Sequence, residues 1–128
     1  AAGLTGGYTI RASATPQLTG GQSRNGSLSN TDGLHPGAAP ALHYADDYVL
    51  TGLTPGVSRT VIVSSTAFDN TLELIDAFTG STLDEDDDPY ETLGDSYLTF
   101  TPAAGRAYLI RVSSYHEKDA GAYTVKAL

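Results

Sequence analysis

Five short runs rich in β-branched and aromatic residues constrain this chain more than anything else in it. They are DYVLTGL (Asp47–Leu53), RTVIVSS (Arg59–Ser65), NTLELIDA (Asn70–Ala77), SYLTFTP (Ser96–Pro102) and AYLIRVSSY (Ala107–Tyr115). Turn signals separate them: TPG at 54–56, FDN at 68–70, TG at 79–80, AAG at 103–105 and HEKDAG at 116–121. Short strands at this spacing predict an antiparallel sandwich or barrel. No window of helical length carries an apolar stripe at helical spacing. The expected fold class is therefore all-β, an antiparallel β-sandwich of jelly-roll-like form with minimal helix.

One strand-like segment is written twice. GGYTIRA (Gly6–Ala12) and GAYTVKA (Gly121–Ala127) share four of seven residues, and the copies lie 115 residues apart. Each alternates with a period of two, placing Tyr8, Ile10 and Ala12, or Tyr123, Val125 and Ala127, on one face. That pattern predicts a half-buried strand. Residues 1–19 are expected to be an N-terminal strand segment, with a strand over residues 7–12 paired at a sheet edge or across a molecular interface. Residues 20–128 are expected to form the sandwich domain. Within it, Gly20–Ala41 holds five Gly and two Pro among Ser and Asn and reads as a long irregular connection, with room for a brief strand around Ser27–Ser29.

At 128 residues, with 40% apolar residues, the chain is long enough for one domain with a core of its own. Its fifteen acids outnumber seven scattered bases for a net charge of −8, which makes nucleic acid and anionic membrane surfaces poor partners. No apolar run approaches the roughly 18 residues of a membrane span. Cysteine is absent, so disulfides and thiolate metal sites are excluded. The absence of cysteine does not fix the compartment, although it suits an exported bacterial protein.

The most unusual stretch is LDEDDDPYETLGD (Leu83–Asp95), in which five consecutive acids, Asp84, Glu85, Asp86, Asp87 and Asp88, fall in what reads as a loop between two strands. Adjacent like charges repel unless water or a cation screens them. Ca²⁺, which takes about six to eight oxygens, is the candidate cofactor. Asp84, Asp86, Asp88 and Asp95 match positions of an EF-hand loop, but Pro89 stands where that loop needs glycine and the flanks are strands, so an EF-hand is rejected. A solvated, solubilising loop is the other reading. Asp46, Asp47, Asp69 and Asp76, at or near strand ends, could add carboxylates.

Catalytic signals are weak. Gly94-Asp95-Ser96 matches the Gly-Asp-Ser of some serine hydrolases, yet Tyr97 and Leu98 replace the glycines of a protease oxyanion hole, and no Gly-x-Ser-x-Gly elbow exists. Ser96 reads better as the start of a strand. His35, His43 and His116 are far apart and show no zinc spacing. Tyr44, Tyr90 and Tyr115 lie at loops or strand ends, where aromatic rings either stack on a ligand or cap the core edge.

In order along the chain, NGSLSNTD (Asn25–Asp32), ADDYVLTGLTPG (Ala45–Gly56), FDNTLELIDAFTG (Phe68–Gly80), DEDDD, SYLTFTPAAGRAYLIRVSSY (Ser96–Tyr115) and GAYTVKA resemble the bacterial pre-peptidase C-terminal domain, over about 100 of the 128 residues. The resemblance implies a secreted or cell-surface, non-catalytic β-sandwich appended to a larger exported protein, and, since Gly-x-Tyr-Thr is the pattern of the family's last strand, that residues 1–19 carry the tail of a preceding repeat. It also implies Ca²⁺ near the sandwich edge, carried by Asp47 beside Tyr48, by Asp69 before Leu72 and Leu74, and by Asp87 and Asp88 as paired acids. Asp86 departs from the asparagine frequent there. Expected partners are an extracellular protein or polysaccharide, bound in adhesion or substrate attachment. The alternatives are a structural repeat that links neighbouring copies by strand exchange, and a small hydrolase using Ser96.

Overall fold

A computed structural model describes residues 15–30, 33–35, 43–87, 95–116 and 119–128. These form ten strands and no helix: β1 (Gln17–Thr19), β2 (Ser23–Leu28), β3 (Gly33–His35), β4 (His43–Thr51), β5 (Arg59–Ser64), β6 (Asn70–Asp76), β7 (Thr82–Asp87), β8 (Ser96–Phe100), β9 (Tyr108–Ser114) and β10 (Gly121–Ala127). The first sheet has the order β1-β4-β9-β6-β7, with β3 also on β4; the second has the order β2-β10-β5-β8. Every pairing is antiparallel except that of β1 with β4. The all-β antiparallel sandwich expected from the five runs is the fold.

The core lies where the inward faces of the two sheets meet. Alternation sets it: Tyr123, Val125 and Ala127 of β10, Val61 and Val63 of β5, and Leu98 of β8 are buried from one side. From the other side come Tyr48 and Leu50 of β4, Leu72 and Leu74 of β6, and Ile110 and Val112 of β9. Burying an aliphatic side chain of this size contributes roughly 1.5–3 kcal/mol. At one end, Tyr123 meets Tyr48 and Phe68 edge to face, with ring centroids 6.5 and 6.3 Å away. Such contacts are favoured by the ring quadrupoles.

Two expectations need correction. Gly20–Ala41 is not an irregular connection throughout, because β2 and β3 lie within it. The sequence SRNGSL has little strand propensity of its own, but β10 supplies a complete ladder from Gly121↔Leu28 to Lys126↔Ser23. Tertiary pairing overrides local preference here. The acidic run is likewise not a loop up to Asp87. Residues 82–87 are the edge strand β7, paired to β6 from Ile75↔Thr82 to Thr71↔Asp87 with a bulge between Leu74 and Ile75. An edge strand leaves Asp84 and Glu85 in water, so the charges do not forbid the ladder.

Residues 17–19 of the N-terminal segment form β1. GGYTIRA lies outside the described residues, as do Asp88 and Tyr90.

Candidate functional site

β10 is an inner strand of the second sheet, so its outward residues stand in the middle of an exposed face. Register aligns Asn25, Thr124 and Ser64 in one row across β2, β10 and β5. The next row runs Ser23, Lys126, Ile62 and Tyr97. A groove of about 590 Å³ follows the first row, and its lining includes Asn25, Ser64, Ser65, Thr66, Asp95 and Thr124. Hydroxyl, amide and carboxylate groups share it with the apolar surface of Gly26, Ala122 and the Tyr123 ring.

Hydrogen bonds fix this surface. The Thr124 hydroxyl donates to Asn25 Oδ1 at 3.2 Å. Ser65 Oγ donates to the Ala122 carbonyl at 2.8 Å and accepts the Ala67 N–H at 3.0 Å. Beside the groove, on the same face, the Tyr97 side chain is 61% exposed. It presents a flat ring to solvent in the same row as the basic Lys126, with Ile62 of β5 between them. An aromatic face beside fixed hydroxyl and amide groups can stack on a ligand and hold it by hydrogen bonds at once.

Beneath the groove lies a buried polar cluster. Tyr123 Oη donates to Asp46 Oδ2 at 2.7 Å, so its hydrogen bond with Tyr48 Oη has Tyr48 as donor. Burial, then the bonds to Tyr48 and Asp46, push the Tyr123 phenol far above its ordinary pKa. The hydroxyl is thus a permanent donor. The Arg24 guanidinium lies 5.7 Å from the centre of the Tyr48 ring and donates to the Gln17 carbonyl at 2.8 Å.

The carboxylates singled out from the sequence are dispersed. Asp47 forms a two-point ion pair with Arg111, at 2.7 Å to Nε and 3.0 Å to Nη2, on the outer face of the first sheet. Asp76 is buried at the β6–β7 turn; its Oδ1 accepts the N–H groups of Phe78 and Thr79, and its Oδ2 accepts Arg106 at 2.8 Å. Asp84 and Asp86 pair with Leu74 and Leu72, on the opposite face of β7 from Glu85. Asp86 Oδ2 accepts the backbone N–H of Tyr97 at 2.8 Å, bridging the edges of the two sheets. Asp69 is buried just before β6. Among the described residues no three His, Asp or Glu side chains gather as a metal site.

Of the three tyrosines expected to meet a ligand, Tyr44 is half-buried against the core and Tyr115 is half-buried edge to face with His116. Among the described tyrosines the exposed ring is that of Tyr97, which the alternation of SYLTF already turns outward. Ser96 is fully buried at the start of β8, its hydroxyl donating to the Asn70 carbonyl at 2.8 Å. The Asn25 contribution had no sequence signal, because the brief strand legible around Ser27–Ser29 did not reach back to it.

No family model and no curated protein matches the chain. Among solved structures, the pre-peptidase C-terminal domain of a collagenase from Bacillus anthracis is similar over 94% of this chain and 100% of its own, with a TM-score of 0.61 at 14% identity. The module CsCBM6-3 of Clostridium stercorarium, solved with cellobiose, is similar over 89% of this chain and 95% of its own, with a TM-score of 0.42 at 14% identity. The chain thus has the fold of a pre-peptidase C-terminal domain.

Proposed function

We propose that this domain is a non-catalytic attachment module of a larger exported protein, and that the outer face of the second sheet is what it attaches with. The observation that carries this reading is the groove of Asn25, Ser64, Ser65, Thr66, Asp95 and Thr124 beside the exposed Tyr97 ring. Its hydroxyl, amide and carboxylate lining suits an extracellular polymer rich in hydrogen-bonding groups, a polysaccharide or a fibrous protein. Retention of the chain on a panel of insoluble polysaccharides and fibrous proteins tests it. Tyr97→Ala is expected to weaken retention about tenfold, equivalent to about 1.4 kcal/mol. Retention unchanged in Tyr97→Ala and Thr124→Ala would remove this face from the reading.

A second reading adds calcium. The two hydrogen bonds between Ser96 and Asn70 bring the segments carrying Asp95 and Asp69 together, and the register ends β7 at the same pole, with Asp87 opposite Thr71. Asp69, Asp87 and Asp88 are the proposed ligands there, supplying the hard carboxylate oxygens that Ca²⁺ takes. A ligand of the native state raises apparent stability. Millimolar Ca²⁺ is therefore expected to raise the melting temperature by several degrees, and a chelator to reverse it. An unchanged melt removes calcium and leaves the attachment reading standing.

A further inference from the structure

The hydrogen bonds of β10 fix which way each residue of β2 turns its backbone. The Ala127 N–H donates to the Gln22 carbonyl at 3.0 Å, whereas the Leu128 N–H donates to the Thr60 carbonyl at 2.8 Å. Along an antiparallel ladder, successive residues turn their N–H and C=O to alternate sides. Arg24, Gly26 and Leu28 therefore bond to β10, by their register with Val125, Tyr123 and Gly121. Ser23, Asn25 and Ser27 turn their N–H and C=O the other way, to the edge of the second sheet, where no described strand lies. All three residues are exposed.

The other sheet edges are defended. β7 carries Asp84, Glu85 and Asp86, and in β8 the edge-facing N–H of Tyr97 is taken by Asp86 Oδ2 at 2.8 Å. β1 and β3, which share the remaining edge, have three residues each. Charge, covered edge groups and shortness are means by which natural sheets avoid pairing with other chains. Among the described edges β2 has none of them. It runs six residues without proline or register shift, and its one charge, Arg24, lies over the Tyr48 ring and bonds to the Gln17 carbonyl.

We infer that this edge receives a partner, an extended segment of another protein that adds beside β2 as a fifth strand of the four-stranded sheet. Main-chain hydrogen bonds to Ser23, Asn25 and Ser27 hold it. The segment is neutral or basic, because a chain of net charge −8 repels an acidic one and, for the same reason, disfavours a second copy of itself. The inference needs the edge and not the groove, so the two readings fail separately.

The probe is a synthetic heptapeptide, Lys-Thr-Val-Thr-Val-Thr-Lys, added to the whole chain at millimolar concentration. Without it, the Ser23, Asn25 and Ser27 amides are expected to exchange rapidly with solvent while those of Arg24 and Gly26 are protected. With it, all five are protected. Methylating alternate peptide nitrogens removes the donors but keeps the side chains, and is expected to weaken binding about tenfold. A peptide with glutamate at both ends is expected to bind about fivefold more weakly at low salt. Ser27→Pro removes an edge N–H that makes no bond inside the sandwich, a change that edge strands tolerate. It is expected to melt within about 5 °C of the parent and to bind the peptide about tenfold more weakly, whereas Tyr97→Ala, which alters the face, binds it as before. Edge amides already protected in the chain alone, no protection with peptide, or equal binding by the methylated peptide each overturn the inference. Protection that rises with protein concentration instead of with peptide marks a second copy at this edge and overturns it too. Should Ser27→Pro fail to fold, the methylated peptide decides.

Discussion

Gly26 shows how a single residue admits the polar cluster under the groove. A Cβ at this position would lie 2.3 Å from Tyr123 Cζ and 2.7 Å from Tyr48 Oη. Gly26→Ala must push both rings aside, and overpacking of this kind costs about 1–3 kcal/mol. The expected readout is a fall of several degrees in the melting temperature, with unchanged stability as the contrary result. Asp76 gives a pH-dependent counterpart. The Phe78 N–H holds its carboxyl below the ordinary value of 3.8; burial opposes this, and Thr79 and Arg106 add to it. A carboxyl whose folded pKa is depressed stabilises the fold above its unfolded pKa and loses that contribution as pH falls through the folded pKa. Asp76→Asn is therefore expected to be less stable at neutral pH and to lose less on acidification below 3.8, which denaturant melts at stepped pH measure. Neither role could be read beforehand. Gly26 sat in a stretch that resembled a loop, and Asp76 resembled any other acid near a strand end.

At the scale of elements, β7 and β8 form the rim on one side of the sandwich. β7 is an edge strand dense in acids, and Asp86 reaches across to the N–H of Tyr97 on the neighbouring sheet. Inward-pointing and flanking charges are a known means of keeping a sheet edge from pairing with another chain. Replacing Asp84, Glu85 and Asp86 together by valine is expected to give concentration-dependent association, followed by light scattering; a variant that stays monomeric contradicts this role. The acids were conspicuous in the sequence, but their placement was not, because like charges in a row suggest a loop until a partner strand is available. β2 hid for the opposite reason. SRNGSL holds no β-branched residue, and what makes it a strand is the ladder offered by β10, about a hundred residues away. β4, β5, β6, β8 and β9 were legible because their own side chains alternate or are β-branched, independently of any distant partner.

Taken whole, the molecule is a two-layer sandwich whose functional candidates lie on different surfaces. The groove and Tyr97 occupy the outer face of the second sheet, the Asp47–Arg111 pair the outer face of the first, and the acidic strand one rim. Sequence patterns report which residues point outward; they do not report which outward residues become neighbours, and that depends on strand order. Asn25 and Ser64 flank Thr124 only because β10 runs between β2 and β5. This order also has a consequence for biosynthesis. The strand that joins β2 to β5 follows every other strand of the domain in the chain. Until it has emerged from the ribosome, the second sheet is two separated pieces, β2 alone and β5 with β8. A sandwich whose joining strand is made last cannot close while its earlier strands are still being synthesised, and completes itself only once the whole domain is available.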